Sequence, residues 1–347
     1  MAILAYQYRG QLVDLVHRGH IAVADHTGTI LWKLGNPRRI TFARSSAKPI
    51  QAIPVVESGA ADHYGITPEE LAVICASHNG EPFHIQAVER ILHKAGLSPA
   101  LLRCGAEYPM YIPAEDALKL AGVPRAPIYC DCSGKHSGML ITARHLGEPL
   151  DSYDRPEHPV QQRIHTVIAD VCGVPPAQLR TAVDGCGVPV HALPLYRFAQ
   201  GYARMSMPGL FPPARAAAIR RITDAMTAHP EMVAGSERIC TALMARFGDR
   251  LFCKSGAAAF YAIGLKGRGI GIAVKMEGGA SALIPPIVLS LLSLLGVITP
   301  KEADSLPEFR DPLIYNNHHT PVGRTELVPA LRCGAPRRGG AVACPGI

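Results

Sequence analysis

Arg44-Ser45-Ser46-Ala47-Lys48-Pro49 sets a serine and a lysine three residues apart where a helix can begin. Proline lacks an N–H and is tolerated in a helix's first turn, so Pro49 puts the start near Ser45. Residues i and i+3 share a helix face, whereas i and i+2 do not; Lys48 therefore reaches the Ser45 hydroxyl and not easily that of Ser46. A neutral amine beside a serine hydroxyl is a nucleophile with its own base, the S-x-x-K device of serine acyl transfer. Taken alone, the pattern competes with an ordinary helix-capping serine.

Two further segments complete that logic. Ser77-His78-Asn79 lies in a polar turn after the apolar run 71–75, and Lys254-Ser255-Gly256 ends an expected strand. S-x-x-K, then S-x-N, then K-[ST]-G is the motif order of serine β-lactamases and penicillin-binding proteins. The plainer reading makes Ser77 and Asn79 turn formers and Lys254 a solvated strand end. Cysteines raise a second chemistry, in Cys130-Asp131-Cys132-Ser133-Gly134-Lys135-His136 and Asp184-Gly185-Cys186-Gly187. Cys132 and Cys186 are candidate thiolate ligands for zinc, with His136 a third, although no paired C-x-x-C of a structural zinc finger is present. Asp184 is alternatively suited to a substrate ammonium group. Gly267-x-Gly269-x-Gly271 falls between strands, not at a strand-to-helix turn, and reads as a hairpin. Cys75, Cys172, Cys240 and Cys253 sit in apolar contexts and read as core.

The elements that must position these residues follow from periodicity. Residues 12–32 alternate as a hairpin around the turn 26–29. Thr67-Pro68-Glu69-Glu70 is a capping box. Helical spacing predicts helices over 82–95, 115–121, 137–145, 160–171, 191–203, 214–229 and 236–247. Strands are expected over 251–254, 258–264 and 269–275, with a long helix after Gly279. Strands at both ends with helices between them predict an α+β fold, an antiparallel sheet flanked by helices. A single catalytic domain is expected over 1–331, with a loose tail over 332–347.

Composition narrows the function. The chain has 347 residues, 18% of them charged and 48% hydrophobic, as in a globular protein with capacity for a large core. Its formal charge of +7 comes from dispersed basic residues, and aromatics are 6% with one Trp, which argues against a nucleic-acid partner. The apolar run 284–298 is broken by Pro285-Pro286 and is too short to span a bilayer. With no secretory leader in view, a cytoplasmic location is expected, with no membrane partner and with free thiols.

These motifs resemble a known family. Arg44-Ser45-Ser46-Ala47-Lys48-Pro49-x-Gln51-Ala52, Ala76-Ser77-His78-Asn79-Gly80-Glu81, Leu102-Arg103-Cys104-Gly105, Cys132-Ser133-Gly134-Lys135-His136-Ser137-Gly138-Met139 and Asp184-Gly185-Cys186-Gly187-Val188-Pro189 are similar to those of the rhizobial-type L-asparaginases. Ala234-Gly235-Ser236-x-Arg238-x-Cys240-Thr241 and Lys254-x-Gly256-Ala257 continue the match. The resemblance implies a fold like that of serine β-lactamases and glutaminases, and hydrolysis of L-asparagine to L-aspartate and ammonia. It implies two tandems, Ser45 with Lys48 and Ser77 with Lys254. It also implies one zinc ion on Cys132, Lys135 and Cys186, and substrate contacts from Arg44, Asn79, His136 and Asp184. A homodimer is a further family expectation. Ala258-Ala259 stands where the family reads Glu-Gly, and Gly278-Gly279 where it reads Asp-Gly. Two rivals stay open: a β-lactamase- or peptidase-like acyl transferase, and an amino-acid-binding homologue with little or no activity.

Overall fold

In the computed structural model, which describes residues 1–310 and 313–332, the two ends of the chain meet in one sheet. Strands β1 (Ala2–Arg9), β2 (Leu12–Asp25) and β3 (Ile30–Leu34) begin it. The β2–β3 hairpin turns where expected, because the Asp25 carboxylate accepts hydrogen bonds from the Thr27 and Thr29 amides at 2.9 and 3.0 Å. A second, three-stranded antiparallel sheet runs β4 (Ile40–Phe42), β6 (Pro189–Pro194), β5 (Arg180–Val183). The large sheet is completed by β7 (Leu251–Gly256), β8 (Phe260–Leu265), β9 (Ile270–Met276), β10 (Leu313–Tyr315) and β11 (Pro321–Leu327). Its order is β10-β11-β1-β2-β9-β8-β7 with β3 also on β2, and every pairing is antiparallel. The expected antiparallel sheet with helices from the middle of the chain is what forms.

Those helices include α1 (Lys48–Gln51), α2 (Pro68–Ile74), α3 (Pro82–Lys94), α4 (Ser133–His145), α5 (Pro159–Val171), α6 (Leu195–Met205), α7 (Pro213–Ala228), α8 (Ile239–Phe247) and α9 (Ile284–Leu294). The capping box forms at α2: Thr67 Oγ1 accepts from the Glu70 amide, and the Glu70 carboxylate accepts from the Thr67 amide. Helix α6 lies on β2, β8 and β9. It approaches so closely that a Cβ at Gly271 would stand 1.9 Å from the Ala199 carbonyl oxygen. Helix α9 has 11 residues, with Ile287, Val288, Leu291 and Leu292 fully buried. No helix among the described residues is long and apolar enough to cross a membrane.

Boundaries depart from the sequence reading in places that bear on chemistry. The helix expected from 191 begins at Leu195, because residues 189–194 pair with both β4 and β5; His191 is a strand residue. Helix α4 starts four residues earlier than expected, which puts Lys135 and His136 in its first turn. The strand expected from 258 begins at Phe260, since Ala258 and Ala259 turn the β7–β8 hairpin with φ of 56° and 55°. The expected loose tail lies outside the described residues, except for Arg332.

The left-handed backbone at Ala258 and Ala259 costs about 1–2 kcal/mol per non-glycine residue. Ala259→Gly is therefore expected to raise stability by about 1 kcal/mol, read as a higher melting temperature. An unchanged or lower temperature contradicts the strain.

Candidate active site

Ser45 sits on a 3-10 turn, Arg44–Ala47, that runs into α1. Its neighbour fastens that turn. Ser46 Oγ donates to the Lys254 carbonyl at 2.7 Å, and the Tyr202 hydroxyl donates to the Ser46 carbonyl at 2.7 Å. Gly256 lets the turn close on β7, for a Cβ there would stand 2.6 Å from the Ala43 carbonyl oxygen. The turn begins with Arg44 in the left-handed region, φ 49°. Ser46 is thus buried and committed. Ser45 is half-buried and lines a cavity of about 470 Å³ together with Ser77, Asp131, Arg238 and Ser255.

The Lys48 amine makes no hydrogen bond to Ser45 among the described residues. It lies 2.9 Å from Ser77 Oγ, 3.4 Å from the Asp131 carbonyl oxygen and 3.7 Å from the Asp131 carboxylate. Lys254 Nζ lies 3.0 Å from the same Ser77 oxygen and donates to the Ser255 carbonyl at 2.8 Å. Both lysines are fully buried, so each amine must find acceptors inside the protein. The tandems expected from spacing, Ser45 with Lys48 and Ser77 with Lys254, become one cluster centred on Ser77.

The two amines differ in surroundings. Burial lowers the Lys254 amine to about 8, and the neighbouring Lys48 charge pushes the same way. Burial acts downward on Lys48 as well, but the Cys132 thiolate and the Asp131 carboxylate outweigh it and hold Lys48 above its ordinary value. One hydroxyl therefore stands between a cationic amine and an amine that is readily neutral.

Cys132 immediately precedes α4, Lys135 lies in its first turn, and Cys186 lies between β5 and β6. Lys135 Nζ is 2.9 Å from Cys186 Sγ. The neighbouring Cys130 and Cys186 thiols, with the Lys135 charge, hold the Cys132 thiol well below its ordinary value. Burial acts downward on Lys135, but the two sulfurs hold its amine above its usual range. A buried cation resting on sulfur marks a place suited to positive charge. The donors there are two thiols and one amine, and thiolates are among the ligands that zinc takes.

None of the four expected substrate residues is among the side chains lining the cavity beside Ser45, and each has partners of its own. Arg44 Nε and Asp184 Oδ1 are 2.7 Å apart. Asn79 Oδ1 accepts from Arg238 at 3.2 Å, and its amide reaches the Ser236 carbonyl at 3.4 Å. His136 is buried, with Nδ1 2.8 Å from the Tyr153 hydroxyl and Nε2 without a partner among the described residues. Burial lowers its titration well below the usual histidine range, so the ring is neutral.

Several contributors escaped the sequence reading. Glu81 is buried and accepts from the Ser236 amide at 2.7 Å and the Ser236 hydroxyl at 2.9 Å. That latch holds the segment carrying Arg238 over the cavity. Gly235 permits it, with φ 108° and a Cβ position only 2.5 Å from the Glu81 carboxylate. Asp131 faces Lys48, and Ser46 anchors the nucleophile turn. Glu81 and Ser236 lay inside motifs already matched, but the pairing between two segments 155 residues apart has no local signal.

The sequence model of one family, L-asparaginase II, matches residues 5–327. No curated protein matches the chain by sequence. Among solved structures, a crystal structure of Mglu in its native form in 4.3 M NaCl is 16% identical, with a TM-score of 0.42. That likeness covers 83% of this chain and 63% of Mglu. Mglu in its glutamate form is 15% identical with a TM-score of 0.38, covering 74% of this chain and 55% of that one.

Glu81→Ala removes both acceptors for Ser236 inside the protein. It is expected to destabilise the fold by about 2–3 kcal/mol in a urea titration and to lower catalytic efficiency, with Glu81→Gln milder on both counts. A wild-type midpoint for the alanine variant contradicts the latch.

Proposed function

We propose, from the premise that the chain belongs to the L-asparaginase II family, that it hydrolyses the side-chain amide of L-asparagine to L-aspartate and ammonia through a serine acyl-enzyme. The observation that carries this reading is the Ser77 hydroxyl held 2.9 and 3.0 Å from two buried lysine amines beside a cavity that Ser45 borders. An oxygen so placed accepts a hydrogen bond from one amine and donates to the other, which suits it to carrying a proton. Ser45, half-buried and with no hydrogen bond from its hydroxyl among the described residues, is the more accessible nucleophile.

In this mechanism Ser45 attacks the amide carbon. Lys48 passes its proton through Ser77 to Lys254, becomes neutral and takes the proton of Ser45. The same path returns a proton to the departing ammonia, and water then releases aspartate. Arg44 and Asp184, now paired with each other, have the charges to receive an α-carboxylate and an α-ammonium in exchange. Cys132, Lys135 and Cys186 would hold zinc. Bound there, zinc would supply a fixed positive charge beside the cavity that orients the substrate. We take residues 1–331 as one catalytic domain, and the three motifs around one cavity support a serine β-lactamase-like arrangement.

Ammonia release from L-asparagine tests the activity, with L-glutamine measured alongside for preference. Ser45→Ala is expected to lower kcat at least ~10³-fold, as loss of the nucleophile does in serine hydrolases. Near-wild-type turnover by that variant removes Ser45 from the mechanism. Turnover of nitrocefin without ammonia release from asparagine would favour the acyl-transferase reading instead.

The pH dependence has a definite sign. Catalysis needs Lys254 neutral, and its amine is lowered to about 8, so kcat should climb through that pH and level off above it. A profile flat from pH 6 to 10 contradicts a titrating Lys254.

A further inference from the structure

We propose that the cavity beside Ser45 receives the leaving-group side of the substrate, and that the chain hydrolyses β-amides of L-aspartate whose nitrogen carries an apolar substituent. The inference rests on the asparaginase reading above and enlarges its substrate class. Two observations set the direction. Arg44, next to Ser45 in sequence, holds Asp184 at 2.7 Å, and neither side chain lines the cavity. A substrate whose charged head exchanges into that pair therefore does not fill the cavity with its head. Ser77, which passes a proton toward the departing nitrogen, does line it, as does Ser45. The amide nitrogen thus leaves on the cavity side.

The space there exceeds what ammonia needs. The leaving group of L-asparagine is a single nitrogen, whereas the cavity holds about 470 Å³, within the range of roughly 300–1,000 Å³ that suits drug-sized ligands. Much of its wall is apolar: Met110, Ile284, Pro285 and Phe309 contribute, and the β7–β8 turn adds the methyl groups of Ala257 and Ala259. Met110 is 51% exposed, so apolar surface stands uncovered at this wall. Ammonia gains nothing from such surface; a hydrocarbon substituent is stabilised by covering it. The charged lining residues are engaged by neighbours or by solvent. Asp131 faces Lys48 at 3.7 Å, Arg238 donates to Asn79 at 3.2 Å, and Glu237 is exposed. The chemistry is the same in kind as for asparagine. Ser45 Oγ bonds to the side-chain carbonyl carbon, the C–N bond breaks, and the nitrogen takes a proton by way of Ser77 to leave as a primary amine. Water then cleaves the ester, giving L-aspartate and restoring the Ser45 hydroxyl.

The test compares L-asparagine with its N⁴-ethyl, N⁴-butyl and N⁴-benzyl derivatives on the full chain, reading L-aspartate release for all of them. One methylene in an apolar pocket is worth about 10–200-fold in discrimination, so kcat/KM for the benzyl amide is expected to exceed that for L-asparagine at least ~10-fold. In Phe309→Ser the ratio of the benzyl value to the asparagine value is expected to fall at least ~5-fold, a change that general loss of folded enzyme does not produce. A benzyl value less than ~10-fold above that for L-asparagine overturns the proposal, and asparagine turnover in that case leaves the asparaginase reading standing. An unchanged ratio in Phe309→Ser overturns it as well. No L-aspartate from any of the compounds overturns both readings together.

Discussion

Two lysine amines buried against one hydroxyl set the terms for the rest of this structure. Their nitrogens, both on Ser77 Oγ, are no more than about 6 Å apart, and two positive charges at that separation repel by ~3 kcal/mol at an effective dielectric of about 20. Burial adds to the cost of each charge. The protein keeps one charge by surrounding Lys48 with Asp131 and the Cys132 sulfur, and it leaves Lys254 with the weaker hold on its proton. The asymmetry keeps the resting proton on Lys48 and leaves Lys254 able to accept one, a transfer that runs uphill toward the weaker base.

The fold works to maintain that asymmetry. Lys254 is fixed on β7, the edge strand of the large sheet, while Lys48 comes from a helix start that Ser46 binds to the same strand and Tyr202 binds to α6. Ser77 arrives from the end of α2, its amide bonded to the Val233 carbonyl. Residues 235–238 are held by Glu81. Each chemical group therefore rests on an element with its own buried anchor, so the cluster does not depend on any single loop. The thiol cluster is continuous with this arrangement through Asp131, which adjoins Cys132 in sequence and Lys48 in space.

Much of the fold was legible because it follows from local rules. The hairpin at Asp25 and the capping box at Thr67 are determined by side chains within four residues of each other, and the buried α9 by its apolar run. The three serine–lysine motifs were legible because helix periodicity relates Ser45 to Lys48, and motif order relates the rest. What could not be read was the destination of a long side chain. Lysine has a four-carbon stem, and the three-residue spacing that permits contact with Ser45 does not require it; Ser77 and Asp131, distant in sequence, draw the amine away. His191 was misplaced for a related reason. Its run looks helical in isolation, yet it pairs with two short strands, one of them about 150 residues away. The Glu81–Ser236 latch is wholly tertiary.

The direct test of the central claim is titration of the lysine side chains by nitrogen-15 NMR, with Lys48→Arg and Lys254→Arg variants for assignment. The account predicts one buried amine titrating near pH 8, assigned to Lys254, and a second that stays protonated well beyond it. Two amines titrating together at the ordinary lysine value would contradict it.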